Sequence, residues 1–269
     1  MNHYQRLQQK LSLHPAGAPA TETFDQILRI LFTEEDAAIA AELTFALASL
    51  DFLAEKISMP AETIYIALEG MADRALVYAK KDKMGNPRYS LLPTIPGLYE
   101  FPFMRIKDIA LRDQLGQLWH KYHEEALGNE FAGSPTPQMR VIPVRRSLTL
   151  TTEILPYESV SNMIERARYI ALADCACRVS MRNCEKPIEV CLAFGGNAEY
   201  LVERGRARHI TAEEALAVLD KAAEAGLVHT CNNSQDEFAV VCNCCSCCCT
   251  ILRGLTRLKN PHAFARSGF

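Results

Sequence analysis

The first 174 residues of this 269-residue chain contain no cysteine, and all eleven thiols lie between Cys175 and Cys249. Nowhere does the chain hold an unbroken apolar run of the ~18 residues that a membrane-spanning helix needs. Its opening, MNHYQRLQQKLSLHP, lacks the apolar stretch of an export signal. We therefore expect a cytoplasmic protein, in a compartment where thiols stay reduced. Charge of one sign is not in surplus either: 29 Lys and Arg face 32 Asp and Glu, a net of -3. That balance speaks against a membrane surface or nucleic acid as the main partner. No Ser–His–Asp set and no paired carboxylates stand out, so hydrolytic catalysis is not expected. The length suffices for a hydrophobic core without a disulfide scaffold.

The spacing of apolar residues predicts an α+β chain, mainly helical, in two domains: a winged helix-turn-helix over 1–105 and a cysteine-rich domain over 106–269. Thr23 is read as the cap of a helix through FDQILRILF, with Phe24, Ile27, Leu28 and Leu31 on one stripe. Thr33 opens the next helix, whose Glu35 and Asp36 suit the positive end of its dipole. Helices at Leu50–Ile57 and Ala61–Arg74 precede a hairpin, ALVYAKK and PRYSLLP, around Gly85–Asn86. Such modules often read DNA, but residues 1–100 carry nine basic and thirteen acidic side chains. The second helix of the pair holds Glu62, Glu69 and Asp73 against Arg74 alone. A DNA reader needs a basic footprint, which only the wing (Lys80, Lys81, Lys83, Arg88) supplies. An interaction or homodimerisation module is thus favoured over a DNA reader.

After a proline-punctuated link, a helix is expected over IKDIALRDQLGQLWHKYHEEAL. Its His120, His123 and Glu124 read as a solvated face rather than half a metal site, because no second carboxylate–histidine set completes a di-metal centre. The run MRVIPVRRSLTL reads as a strand and ESVSNMIERARYIALAD as a helix leading to Cys175. Gly195, Gly196 and Asn197 read as a turn and helix cap. Thr211 and Glu214 form a capping box for the helix that ends at Gly226.

The cysteines fall into two groups. Cys175, Cys177, Cys184 and Cys191 give C-x-C-x6-C-x6-C, four soft ligands for zinc or a [4Fe–4S] cluster. The gaps are wider than the short knuckles of common zinc folds and suit a cubane. Arg178, Arg182 and Lys186 interleave with them, cations that would offset a negative cluster. The second group is CNCCSCCC, supplying Cys242, Cys244, Cys245, Cys247, Cys248 and Cys249. Every third residue (Cys242, Cys245, Cys248) repeats the C-x2-C-x2-C of a bacterial ferredoxin loop, without its fourth ligand. Cys231, between the groups, is a further candidate for that fourth ligand. Ten clustered cysteines could hold two cubanes with two sulfurs left over.

Together HPAGAPAT, LFTEEDAAIAAEL, LPTIPGLYEFPFMR, CACR…CEKPIEVCLAFGGNAEYL, TAEEALAVLDKAAEAGLVH and CNCCSCCC resemble the 4Fe–4S-binding ferredoxin-like proteins of anaerobic bacteria and archaea. The resemblance covers nearly the whole chain. Longer members continue past a segment like NPHAFARSGF into a ferredoxin module, where this chain stops. The resemblance implies one or two [4Fe–4S] clusters and electron transfer to a redox partner protein, an electron carrier or redox subunit rather than a stand-alone enzyme. The alternatives are a redox- or metal-responsive winged-helix regulator, a zinc or copper thiolate protein, and a redox enzyme built on an incompletely ligated cluster.

Overall fold

The structure, a computed structural model, describes residues 1–142, 160–233 and 238–265. It is a mixed α/β chain, compatible with the α+β class, in two compact units, Met1–Phe131 and Ala132–Phe269. Among the described residues no helix is long and apolar enough to cross a membrane.

The first unit begins with α1 (His3–Leu11), α2 (Glu22–Leu31) and α3 (Glu34–Ala40). Thr21, not Thr23, caps α2: its side chain accepts from Phe24 N, while Thr23 is buried. Two threonines two residues apart are equal candidates by type, and only the one with extended backbone can serve. Thr33 caps α3 in a reciprocal box with Asp36. Then follow β1 (Ala48–Ser49), α4 (Leu50–Ile57), α5 (Ala61–Asp73), β2 (Val77–Lys81) and β3 (Pro87–Leu91). The strands form an antiparallel sheet ordered β1-β3-β2. At the hairpin, the Asp82 carboxylate accepts from Met84 N and Asn86 N, and Gly85 takes the positive φ that favours glycine. Arg74 Nη2 donates to Asp36 at 2.8 Å, joining the end of α5 to the start of α3.

α6 (Glu100–Phe103) and α7 (Ile109–Tyr122) complete this unit, with α7 packed on α2. Phe24 stacks on Tyr122 at 4.6 Å, and the Tyr122 hydroxyl donates to Pro19 O. After Tyr122 the backbone widens into a π turn over His123–Leu127 before α8 (Gly128–Ala132). His120 is half-buried and His123 buried, and only Glu124 is exposed. The solvated face expected here is therefore corrected. A Cβ at Gly128 would lie 2.7 Å from His123 O, so the tight turn requires glycine.

The second unit is built on six antiparallel strands ordered β4-β8-β9-β6-β5-β7. These are β4 (Met139–Val141), β5 (Ile170–Asp174), β6 (Glu189–Phe194), β7 (Ala207–Ile210), β8 (Val228–Asn232) and β9 (Val240–Cys244). Its helices are α9 (Val160–Arg166), α10 (Ala176–Met181), α11 (Gly195–Glu203), α12 (Ala212–Glu224) and α13 (Leu252–Thr256). The single helix expected up to Cys175 is instead α9 followed by β5. IALAD is a short apolar run, which fits a buried strand as well as a helix, and pairing with β6 and β7 decides it. The strand expected over 139–150 is present as β4, and its remainder lies outside the described residues. Gly195 opens α11 at positive φ, and no side chain caps it, so Asn197 does not serve as the cap.

One face of the sheet meets α9 and α12 over Leu172, Leu192, Ile210, Cys231 and Val241. Side chains alternate along a strand. Cys242 and Cys244 thus lie on the other face, away from Val241, as does Cys191 beside Leu192.

Candidate metal centre

Strand parity does the first sorting of the cysteines. Cys231 is opposite Val241 in the β8–β9 ladder, so it joins the apolar core on the helix face. Arg140 Nε donates to its sulfur at 3.3 Å, and burial still pushes that thiol up. Cys231 is parted from the other ten.

The turn after β9 does the second sorting. The backbone folds back with Cys249 N donating to Cys245 O. This turns Cys245, Cys247 and Cys248 towards Cys184, which approaches from the loop after α10. The four Sγ atoms all lie within 4.8 Å of one another, and could hold a metal ion. Cys184 Sγ is 3.9 Å from Cys245 Sγ and 3.7 Å from Cys248 Sγ. The Cys184 loop is fixed from both sides. Asn183 Nδ2 donates to Cys247 O, and Lys186 Nζ donates to Ala225 O and Gly226 O just past α12. That ammonium satisfies carbonyls left open by the helix end.

Protons are shared unequally in this group. Burial pushes the Cys184 thiol up, but Lys186 N and the S–H groups of Cys247, Cys248 and Cys245 more than offset it, so the thiol is held below its ordinary value. Cys247 is pushed up to about 11 by burial and its sulfur neighbours, and Cys248 is also raised, first by burial. Cys184 is thus readier to give up its proton than Cys247 or Cys248, and a bound cation would favour the thiolate form of its ligands.

The other six thiols meet on the cysteine face. Cys175 caps α10 by position, with its N donating to Ile188 O on the β6 side, and Cys177 lies one residue into the helix. Cys177 Sγ lies 3.7 Å from Thr250 Oγ1, Cys244 Sγ lies 3.6 Å from Thr230 Oγ1, and Leu252 N donates to Cys249 Sγ at 3.4 Å. The sequence spacing groups Cys175, Cys177, Cys184 and Cys191, and separately Cys242, Cys245 and Cys248. The fold sends Cys184 to Cys245, Cys247 and Cys248, and leaves Cys175, Cys177, Cys191 and Cys242 outside that group.

Asn243 and Arg178 were the less legible members. The Asn243 side chain crosses the sheet: its Oδ1 accepts from His229 Nδ1 at 2.5 Å, and its Nδ2 donates to Val190 O at 2.6 Å. Burial lowers the pKa of His229, consistent with a neutral ring whose Nδ1 carries the proton. Arg178 is 2% exposed; its Nη1 donates to Asn243 O at 3.0 Å and to Cys245 Sγ at 3.6 Å. Burial would lower its pKa, yet the charges of Cys175, Cys245 and Cys244 raise it overall. Its Nε and Nη2 are buried without a hydrogen-bond partner among the described residues. Arg182, expected beside it as a second cation, is exposed at the left-handed C-cap of α10.

No protein-family model, no curated protein and no solved structure matches this chain.

Proposed function

We propose that this chain is a metal–thiolate protein in which Cys184, Cys245, Cys247 and Cys248 hold one tetrahedral ion of zinc type. The sulfur spacing carries the reading. Four sulfurs at about 2.3 Å from a zinc ion define a tetrahedron with edges of about 3.8 Å, and Cys184 Sγ stands 3.9 Å from Cys245 Sγ and 3.7 Å from Cys248 Sγ. A cubane places each thiolate on a different iron, so its sulfurs stand apart by the width of the cluster. Sulfurs within 4.8 Å of one another support the single ion over a cubane. With all four positions taken by cysteine, the ion would be structural. It would pin the turn after β9 to the loop after α10.

The iron–sulfur, electron-transfer reading implied by the sequence resemblance is favoured by a different observation. The two unpartnered nitrogens of buried Arg178 would find acceptors in the inorganic sulfides that a cluster brings and a zinc ion does not. In that reading the protein exchanges electrons with a redox partner. The order α3, β1, α4, α5, β2, β3 supports treating the first unit as a winged helix. Its acidic α5 favours a protein contact or a second copy over DNA.

Anaerobic purification, with zinc, iron and acid-labile sulfide quantified per chain, separates the two readings. Zinc without sulfide is the expected result. A brown protein with about four irons and equal sulfide would replace it with the electron-transfer reading.

A further inference from the structure

In the first unit, α5 buries Ile64, Leu68, Met71 and Ala72. On its outward side Glu62, Ile66 and Asp73 follow one another at helical spacing, with Gly70 beside them. Ile66 is 66% exposed, and Phe52 on the neighbouring α4 is 57% exposed. Single apolar residues on a surface are ordinary, but Phe52, Met59, Tyr65 and Ile66 all belong to this helix pair and its turn. Gly70 is the second oddity. A Cβ there would meet nothing within 4 Å, and its φ is not positive. Glycine is the weakest choice for a helix interior after proline, and nothing within the chain asks for it here. Close approach to the helix backbone from outside does.

Charge divides sharply over the same stretch. The cations on the helix pair are already matched, Lys56 by Glu42 and Arg74 by Asp36, which leaves its exposed surface acidic. The β2–β3 hairpin is the reverse. It exposes Lys80, Lys81 and Lys83, next to Met84 at 87% exposure. Among the described residues neither these lysines nor Glu62 has an ion pair. Lys80 stands opposite Arg88 in the ladder, and Asp82 answers Arg88 alone. Like charges facing each other across strands are unfavourable, so an external anion would stabilise the hairpin. α5 packs on β2, and Tyr89 Oη donates to Glu69 Oε1 at 2.6 Å. The acidic helix and the basic hairpin therefore adjoin.

We propose that this face is the contact between two copies of the chain, in which α5 of one protomer meets the β2–β3 hairpin of its partner about a two-fold axis. An acidic patch and a basic patch side by side are self-complementary under a two-fold rotation, which sets each against its opposite twice. Pairing α5 with α5 would instead set acid against acid. Lysines on the edge strand β2 deter direct strand-to-strand joining, so side chains make the contact. It covers Ile66 and Phe52, and Gly70 lets the partner's hairpin come close to the helix backbone. This inference rests on the reading of the first unit as a contact module, and is independent of which metal the cysteines hold.

The test is sedimentation equilibrium of the full chain, as purified, across protein and salt concentration. The wild type should be a dimer whose dissociation constant rises about tenfold between roughly 0.1 and 0.5 M salt. K80E/K81E/K83E and E62K/D73K should each be monomeric. An equimolar mixture of the two should form a dimer again, because each reversed patch then meets its opposite in the other variant. Misfolded variants would not rescue one another, and an α5–α5 contact would leave K80E/K81E/K83E dimeric. G70L, whose Cβ meets only open space within the chain, should weaken the dimer about tenfold or more with its helix content unchanged. A dimer that survives both charge reversals overturns the proposal, and so does a monomeric wild type. A monomer that leaves duplex DNA unbound removes the second copy alone. A monomer that binds duplex DNA at low salt, and loses it in K80E/K81E/K83E, removes the contact-module reading as well.

Discussion

Replacing Arg178 with methionine should weaken metal binding while leaving the metal-free protein nearly as stable as before. Methionine keeps most of the length and removes the charge. In the metal-free chain two effects oppose each other. The charged bond from Nη1 to Asn243 O is lost, at a cost of about 1.5–3 kcal/mol. Relief comes from no longer burying a guanidinium with two unpartnered nitrogens, a penalty of roughly several kcal/mol per ion. The net change should stay within about 2 kcal/mol of zero. The loaded state has no such relief. A cation 3.6 Å from Cys245 Sγ interacts with a thiolate by about 4.6 kcal/mol at an effective dielectric of 20. Even half of that lowers metal affinity by more than about tenfold. Chelator competition gives the affinity, and urea denaturation of metal-free protein gives the stability. The R178K variant, which keeps the charge, should recover part of the affinity. If R178M binds metal within about threefold of wild type yet loses more than about 3 kcal/mol without metal, Arg178 is an ordinary structural residue and the reasoning fails.

Asn243→Ala removes two buried side-chain hydrogen bonds and strands His229 and Val190 O. A loss of roughly 2–5 kcal/mol is expected in urea denaturation, and a loss below about 0.5 kcal/mol would mean the bonds carry no net stability. Thr211→Ala breaks the capping box of α12 and should lower stability by about 1 kcal/mol; an unchanged urea midpoint would contradict that. Gly254→Ala would put a Cβ 2.8 Å from Ala263 Cβ and 3.2 Å from Ala132 Cβ, a clash that should cost about 1–3 kcal/mol. A stabilised variant would show that α13 shifts freely. His14 gives a pH dependence. Burial lowers its pKa, and its Nδ1 accepts from Ala16 N, so the folded state favours the neutral ring. Above the unfolded pKa of about 6.5 both states are neutral; below it the unfolded chain binds the proton first and stability falls. Urea midpoints between pH 7.5 and 5.5 should therefore drop less in His14→Gln than in wild type, and equal drops would remove His14 from the account.

Local signals read well where one residue type had one geometric option. The helix at Leu50–Ile57 follows from its apolar spacing with the same bounds in the structure, and the Thr211–Glu214 box is present as read. Alternation along a strand already implied that adjacent cysteines face opposite ways. It could not say which face each strand buries. Cys231 goes to the helix face only because of its register against Val241. The regrouping of Cys184 with Cys245, Cys247 and Cys248 depends on a turn without glycine or proline, so no local signal marks it. IALAD was ambiguous by period alone, and its two strand neighbours lie well over ten residues away in sequence. Arg178 was singled out for its charge, but its burial follows from Asn243 O, 65 positions away.

X-ray absorption fine structure at the metal edge of the metal-loaded protein tests the central claim, an ion held by Cys184, Cys245, Cys247 and Cys248, most directly. The account requires a single shell of four sulfurs at about 2.3 Å and no metal neighbour. A short metal–metal distance in that spectrum would mean a cluster at this site and would contradict the assignment of a single tetrahedral ion.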